Sequence, residues 1–223
     1  MIFQLRSKLN LELNNMSIKN LFVPELLEKT SSKFNTDIRV YQFLNEYRLE
    51  IGGLTQSAQI MADIWQEGIK FLLPKNLKPK SILMLGFGGG STPKMLNKKF
   101  PKAKIISVEI DPIVIKFAKK YFNADKLKNH ELINQDAVEY VKKLNSQNIF
   151  DLILVDTYIG FEIPKKFQDP KFLKKLKTHA NVLLLNRLNW DSHEIDSMLF
   201  LDLLKQSFDP IIHKTTSNMI IGL

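Results

Sequence analysis

The 223-residue sequence contains no cysteine, which excludes disulfide bonds, thiolate catalysis and thiolate-bound metals. No run of about 18 apolar residues is present that could cross a membrane. The first fifteen residues, MIFQLRSKLNLELNN, lack the long apolar segment and small-residue cleavage site of a secretory signal. The four histidines are scattered and none has metal-ligand spacing. These absences predict a cytoplasmic protein without a metal site or a membrane partner.

Arginine is scarce, because only 4 of the 32 basic residues are arginine while the net charge is +9. Proteins that read nucleic acids usually employ arginine for bidentate contacts with bases and phosphates. The lysines occur mostly as pairs on predicted helices, which is typical of a solvated helix face. The composition therefore disfavours a nucleic-acid partner, and a weak attraction to polyanions is the alternative interpretation of these lysines.

The most informative segment is 81–112, SILMLGFGGGSTPKMLNKKFPKAKIISVEIDP. An apolar strand leads into the glycine-rich turn Gly86–Gly90, and Ser91-Thr92-Pro93 predict the cap and first turn of a helix. Glycines let a backbone approach a ligand closely, and a helix N-terminus offers free N–H groups. Glu109, near the end of the next strand, is placed to accept from both ribose hydroxyls. This βαβ unit predicts a nucleoside site, although such a turn also occurs where a strand merely meets a helix closely.

Strands and helices alternate through residues 81–210, which predicts an α/β fold with a doubly wound sheet. A β-hairpin is predicted before it, with strands Ile38–Phe43 and Tyr47–Ile51, and a helical turn is predicted at Pro24–Glu28. We expect residues 1–56 to form an N-terminal extension with a small β-hairpin domain. Residues 57–223 are expected to form a Rossmann-like, nucleoside-binding domain.

Polar residues follow successive strands of the predicted sheet, where ligands of such sheets bind. Glu109, Asp136 and Asp156 are three carboxylates at consecutive strand ends. Helix capping explains any one of them, but the set predicts a ligand site. Asn186, at the end of the next predicted strand, is interpreted as a turn former or as a residue facing that site.

At these residues the sequence resembles the spermidine synthase-like family, the polyamine aminopropyltransferases and their relatives on the class I methyltransferase fold. The matching segments span about residues 38–186 in family order: LEIGGLTQ, WQEG, ILMLGFGGGS, VEIDPIVI, NQDAVEYV and DLILVDTYIGFEIP. The resemblance implies a Rossmann-like doubly wound sheet of the class I methyltransferase type behind a small N-terminal β-hairpin domain. It also implies S-adenosylmethionine or its decarboxylated form as group donor, no metal, a small-molecule acceptor such as a polyamine, and a homodimer.

The resemblance also implies a role for individual residues. Asp156 corresponds to the acid that orients the attacking amine or accepts its proton, which a carboxylate beside an amine can do. Glu109 would bind the ribose hydroxyls, and Asp136 with Ala137 the adenine edge. The remaining cofactor-binding residues would be the turn glycines and two glutamines directed towards the sulfonium ligand: Gly86, Gly88, Gly90, Gln56 and Gln66.

The sequence departs from the family pattern at acidic positions. Gly89 stands where synthases have the acid that grips the amino group of the donor. Met61-Ala62 replaces an Asp-Glu pair, Ile159 replaces a second acid after Asp156, and Trp65 replaces a tyrosine. Because a cationic acceptor needs several carboxylates, the site is predicted to have lost part of that function, and ordinary S-adenosylmethionine is no longer excluded by charge.

Three functional hypotheses follow from the sequence. The first is a transferase that moves an aminopropyl or methyl group from the sulfonium nucleoside to an amine or other nucleophile. The second is a catalytically silent, nucleoside-binding, dimer-forming relative. The third is a nucleic-acid-associated protein that uses its lysines, for which steep salt dependence of binding would be the sign.

Overall fold

The computed structural model describes residues 23–44, 46–57 and 59–223 and shows two β-sheets, one of four and one of seven strands, with helices around the larger sheet. The strands are β1 Glu25–Thr30, β2 Ile38–Phe43, β3 Glu46–Ile51, β4 Leu54–Ser57, β5 Ser81–Leu85, β6 Lys104–Glu109, β7 His130–Asn134, β8 Phe150–Val155, β9 Ala180–Leu188, β10 Ile211–Lys214 and β11 Asn218–Gly222. The α-helices are α1 Gln59–Leu72, α2 Ser91–Lys99, α3 Pro112–Phe122, α4 Ala137–Lys142, α5 Pro170–Lys177 and α6 Ser192–Lys205.

The N-terminal sheet is antiparallel, in the order β1-β2-β3-β4. The predicted hairpin is confirmed as β2 and β3, although its turn residue Asn45 and residues 1–22 of the predicted extension lie outside the described residues. The helical turn predicted at Pro24–Glu28 is wrong, because Glu25–Thr30 pairs along β2 as an edge strand. Pairing with β2 gives the backbone of this short segment hydrogen bonds that an isolated helical turn would lack.

The larger sheet has the strand order β10-β11-β9-β8-β5-β6-β7, and β9 through β7 are parallel. β11 is antiparallel to β9, and β10 is antiparallel to β11, so the predicted C-terminal antiparallel pair is confirmed. From β5 the chain adds β6 and β7 on one side and then β8 and β9 on the other side. The boundary between β5 and β8 is therefore the switch point of the sheet. The predicted α/β doubly wound fold is therefore observed, and the carboxyl ends of β5, β6 and β8 meet at one edge.

Apolar side chains cover both faces of this sheet. Successive side chains of a strand belong to two different hydrophobic clusters, one on each face of the sheet. In β5, Leu83 and Leu85 belong to one cluster, and Ile82 and Met84 belong to the other. Strands of a parallel sheet are buried on both faces, which explains their nearly continuous apolar sequences. No helix among residues 23–44, 46–57 and 59–223 is long and apolar enough to span a membrane.

The small sheet packs on helix α3, which leads away from the end of β6. Val114 and Phe117 of this helix form a buried cluster with residues of β2 and β3, including Ile38 and Leu49. Asp111 caps the helix as predicted, since its carboxylate accepts from Ile113 N at 2.9 Å. This packing brings the small sheet to the edge at which the carboxyl ends of the parallel strands meet.

Two details differ from the sequence expectation. Helix α2 begins at Ser91, and its N-cap is the left-handed Gly90 without a side-chain cap, so the predicted Ser/Thr cap is wrong. Strand β9 continues to Leu188, so Asn186 lies within a strand and is not a turn former. The extra length arises because β11 pairs with β9 as far as Leu188.

Candidate active site

The glycine turn brings the backbone of β5 against β8 and β4. Gly86 and Gly88 have φ of +87° and +55°, a region that favours glycine. A Cβ at Gly86 would overlap the carbonyl oxygen of Asp156, and one at Gly88 would lie 2.9 Å from the carbonyl oxygen of Gln56. Gly89 N donates to the same Gln56 oxygen at 3.2 Å. The turn is therefore tight because it has to fit between two neighbouring strand ends.

Glu109, at the end of β6, binds the glycine turn through its carboxylate. Oε2 accepts from the backbone N of Phe87 at 3.0 Å and of Gly88 at 3.4 Å, and Oε1 accepts from Asp111 N at 2.9 Å. Burial raises the pKa of Glu109 above its ordinary value, although these backbone N–H groups oppose the shift. A carboxylate offers about four acceptor positions, so about one remains for a ligand in this geometry.

Asp156 follows β8 and is held by two neutral donors. Trp65 Nε1 of α1 donates to Oδ2 at 2.8 Å, and Asn186 Nδ2 of β9 donates to Oδ1 at 2.9 Å. Asn218 Nδ2 donates to Asn186 Oδ1 at 2.8 Å, which fixes the orientation of the Asn186 amide. Burial raises the pKa of Asp156 above its ordinary value, while the Trp65 and Asn186 hydrogen bonds lower it. The carboxylate is thus fixed in position and has no ion-pair partner among the described residues.

Asp136 and Ala137 lie where β7 is followed by α4. Asp136 caps the helix, since Oδ1 accepts from Val138 N at 2.8 Å, and Oδ2 forms an ion pair with Lys166. Burial raises the pKa of Asp136, but the Lys166 hydrogen bond and the helix N–H groups outweigh it, so the pKa lies below its ordinary value. Asp136 is therefore an ionised, already paired carboxylate.

A single cleft collects most of these residues at the edge of the sheet. The space open to water inside it is about 70 Å³. Of the residues proposed from the sequence, seven line it: Gln56, Gly86, Gly88, Glu109, Asp136, Ala137 and Asp156.

Two residues proposed from the sequence do not line the cleft. Gln66 is exposed on α1, where the preceding residue, Trp65, turns inward and is fully buried. Gly90 caps α2, and a Cβ there would meet the ring of Phe87, 2.8 Å from Cζ. On α1 it is therefore Trp65, and not Gln66, that contacts a residue of the cleft, through its hydrogen bond to Asp156.

Other residues in or next to the cleft were not among the proposed site residues, although Asn186 was considered as a residue facing the site. Trp65 and Asn186 position Asp156, and Lys166 pairs with Asp136. Phe34 and Asn35 come from the loop between β1 and β2. A polar residue directly after the apolar run Val182–Leu185 was a usable signal for Asn186, whereas a lysine of a basic pair gave no signal for Lys166.

Two buried polar atoms of the cleft-lining residues have no partner: Asn35 Oδ1 and Thr157 Oγ1. Asn35 is nearly buried, and its Nδ2 donates to Asp111 Oδ2 at 2.7 Å, so its Oδ1 is a fixed, free acceptor. Buried polar atoms are normally hydrogen-bonded. Unpaired atoms beside a backbone cradle fit a polar ligand such as a nucleoside, which offers hydroxyl and amino groups.

The sheet order with its antiparallel β11, together with a cleft built from a glycine turn and strand-end carboxylates, defines a class I methyltransferase-like fold. Spermidine synthase from Thermotoga maritima superposes with a TM-score of 0.71 at 17% identity, covering 89% of this chain and 72% of that chain. Human methyltransferase-like protein 13, solved in complex with SAH, gives a TM-score of 0.59 at 26% identity, over 73% of this chain and 80% of that chain.

The model of the spermine/spermidine synthase domain matches residues 66–181, and the chain belongs to this family. A polyamine aminopropyltransferase of Vibrio vulnificus is 31% identical over 152 residues, covering 66% of this chain and 50% of that protein. The mouse eEF1A lysine and N-terminal methyltransferase is 33% identical over 135 residues, or 54% of this chain and 19% of that protein. The chain thus spans half or less of the length of these two relatives. Its family places it in a superfamily of transferases.

Proposed function

We propose that this protein transfers a methyl group from S-adenosylmethionine to an amine. The observation that carries the proposal is the Asp156 carboxylate, fixed by Trp65 and Asn186 in the same cleft as Glu109 and the glycine turn. The donor would supply an electrophilic carbon attached to a positively charged sulfur. Relatives named as an aminopropyltransferase and as a methyltransferase support the broader reading of alkyl transfer to nitrogen.

Asp156 would orient the attacking amine and hold the proton that the amine must lose. An amine is protonated in water and attacks only after losing that proton, so a carboxylate next to it assists. Burial raises the pKa of Asp156, which makes it a stronger base than an exposed aspartate. Both of its oxygens are oriented by neutral donors, so its negative charge remains available to a cationic amine.

The charges of the cleft favour methyl transfer over aminopropyl transfer. Glu109 is bound by backbone N–H groups and Asp136 by Lys166, which leaves Asp156 as the carboxylate without a backbone or cationic partner among the described lining residues. Ile159 lines the cleft as an apolar residue. The ammonium of a decarboxylated donor and each further ammonium of a polyamine would require another carboxylate.

The nucleoside half of the donor would be held by the residues that the two sheets bring to the mouth of the cleft. Glu109 retains about one acceptor position, which suits a ribose hydroxyl. Asn35 Oδ1 is a second acceptor in the same wall. Asp136 and Ala137 would line the adenine edge, and Gln56 would lie near the sulfonium end.

Calorimetric titration with S-adenosylmethionine and with its decarboxylated form tests the proposal. We expect wild type to prefer S-adenosylmethionine. Glu109→Ala should weaken binding of this donor, because it removes the proposed acceptor for a ribose hydroxyl and also the hydrogen bonds that hold the glycine turn. Glu131→Ala, an exposed glutamate of the adjoining strand β7 outside the cleft, is the matched control and should bind like wild type. Preference for the decarboxylated form would refute methyl transfer in favour of aminopropyl transfer.

Asp156→Asn separates an enzyme from a catalytically silent nucleoside-binding relative. If Asp156 serves the acceptor, the variant should bind the donor as wild type does but lose methylation of amines in a radiolabel transfer assay. Donor binding without turnover of any amine by wild type would instead support the silent relative. We also propose a homodimer, supported by the exposed apolar side chains Ile195, Met198 and Leu199 on α6, and a cytoplasmic location, supported by the sequence without cysteine.

A further inference from the structure

A second cavity, of about 670 Å³, lies on the other side of the loop that follows Asp156. Tyr158 and Pro164 line both this cavity and the cleft. A small gap between the two is lined by Thr157, Asn186 and Arg187, among others. Because Tyr158 and Pro164 line both spaces, the second cavity adjoins the cleft that contains Asp156.

Arg187, on β9, lines this cavity and is only 6% exposed. Its guanidinium carbon lies 4.2 Å from the centroid of the Phe200 ring, so the ring covers one face of the cation. Its hydrogen bonds go to neutral acceptors: Nε to Ser197 Oγ at 3.2 Å, Nη1 to Gln168 Oε1 at 3.2 Å and Nη2 to the Asp196 carbonyl at 3.5 Å. These donor–acceptor distances are at or beyond the long end of the usual range for hydrogen bonds. The three hydrogen bonds use three of the five N–H donors of the guanidinium.

No described carboxylate forms an ion pair with Arg187. Two lining residues carry a carboxylate, Glu162 and Asp196, and both are exposed. Lys165 and His193 are basic residues of the same lining. Burial lowers the pKa of Arg187, while nearby Tyr158 and Asp196 oppose this shift. A buried charge is costly unless it is paired, and neither Asp196 nor Glu162 lies within ion-pair distance of this guanidinium, so an anion bound in the cavity would stabilise it.

We infer that the Arg187 cavity binds a carboxylate of the acceptor, so that the substrate class is an amine that also carries a carboxylate. This inference rests on the proposed function. Arg187 presents a planar fork suited to bidentate binding of an oxyanion, and the neighbouring Asp156 would receive the amine end of the same molecule. The three hydrogen bonds of Arg187 leave two of its five N–H donors, which match the two oxygens of one carboxylate.

The geometry distinguishes this acceptor from a polyamine. A diamine that reached from Asp156 into the second cavity would place an ammonium beside a buried guanidinium, and like charges at short range repel. An amino acid of suitable length would place opposite charges at both ends. The Arg187 cavity thus places a buried cation where a polyamine would require a carboxylate.

Calorimetric titration in the presence of S-adenosylhomocysteine tests the inference. The probes are glycine, β-alanine and γ-aminobutyrate, compared with ethylenediamine, diaminopropane and diaminobutane, and inorganic phosphate is the competing oxyanion. We expect at least one amino acid to bind wild type more tightly than every diamine and than phosphate. Arg187→Gln should weaken it about ten- to hundredfold, the effect of losing hydrogen bonds to a charged group, and Arg187→Lys should weaken it less.

Arg48→Gln is the matched control, because Arg48 is an exposed arginine of β3 that pairs with Glu50 outside the cavity. It should leave amino-acid binding unchanged. Tighter binding of the diamines, or equal binding of the amino acids to Arg187→Gln and wild type, would overturn the inference; tighter binding of phosphate would replace the carboxylate with a phosphate group. If Arg187→Gln does not fold, the preference of wild type between amino acids and diamines decides by itself.

The two proposals fail in different ways. If S-adenosylhomocysteine does not bind wild type, the proposed methyl transfer fails, whereas amino-acid binding that depends on Arg187 is still measurable without the nucleoside. If the nucleoside binds and the amino acids do not, the substrate inference alone is refuted.

Discussion

Replacing Gly86 with alanine should damage both stability and the position of Asp156. Gly86 has φ of +87°, and its new Cβ would overlap the Asp156 carbonyl oxygen and lie 2.8 Å from the carbonyl carbon, where real Cβ atoms keep at least 3.0 Å. Gly160→Ala is the matched control, since Gly160 also has a positive φ, +57°, but nothing lies within 4 Å of its Cβ. Both substitutions place alanine at a positive φ, but only the one at Gly86 adds a steric overlap.

The magnitudes follow from these two contributions. Left-handed strain for alanine costs about 1–2 kcal/mol and applies to both variants. Forcing an extra methyl group into a packed site adds about 1–3 kcal/mol at Gly86 alone. We therefore expect Gly86→Ala to lower the free energy of unfolding by about 2–5 kcal/mol and Gly160→Ala by about 1–2 kcal/mol. The entropy lost by the unfolded chain is similar in both and cancels in the comparison.

Urea denaturation, followed by circular dichroism, measures this difference from the midpoints at equal slope. The overlap also pushes the end of β8 away from the turn, and a displacement of about 1 Å at a reacting group can cost about a hundredfold in rate. In the amine methylation assay Gly86→Ala should thus lose activity that Gly160→Ala retains. Equal destabilisation by the two variants would show that the turn does not press against Asp156 and would refute this reasoning.

Two further predictions concern Trp65 and the assembly. Trp65→Phe removes the N–H that stabilises ionised Asp156, a hydrogen bond worth about 1.5–3 kcal/mol, so the pKa of Asp156 should rise further. The acidic limb of the kcat/KM profile should then move to higher pH, and an unmoved limb would count against Asp156 as the titrating group. Because the folded-state pKa is raised, the stability that protonated Asp156 contributes is present below its unfolded pKa and is lost as pH rises through the folded value. For the assembly, sedimentation equilibrium should show a dimer of the 25.8 kDa chain that Leu199→Glu on α6 dissociates, whereas a monomeric wild type would exclude the proposed dimer.

Much of the fold was predictable because its signals are local. Short apolar runs mark the buried parallel strands, and Asp111-Pro112 marks a helix start that needs nothing beyond its own backbone. The glycine turn was predictable for the same reason, since φ values of +87° and +55° at Gly86 and Gly88 favour glycine whatever packs around them. By contrast, the strand at Glu25–Thr30 depends on a partner strand, so its own residues could not decide between strand and helical turn.

The sequence by itself determined which carboxylates come to the ends of parallel strands, because strand order along the chain places Glu109 and Asp156 at one edge of the sheet. Only the tertiary structure decided what surrounds them. The rotation of α1 turns Trp65 inward and Gln66 outward, and the pairing of β11 with β9 lengthens that strand so that Asn186 reaches Asp156. The same strand then places Arg187 in the second cavity, because successive side chains of a strand point to opposite faces of the sheet. These outcomes depend on how helices and strands pack, and no local sequence pattern contains that information.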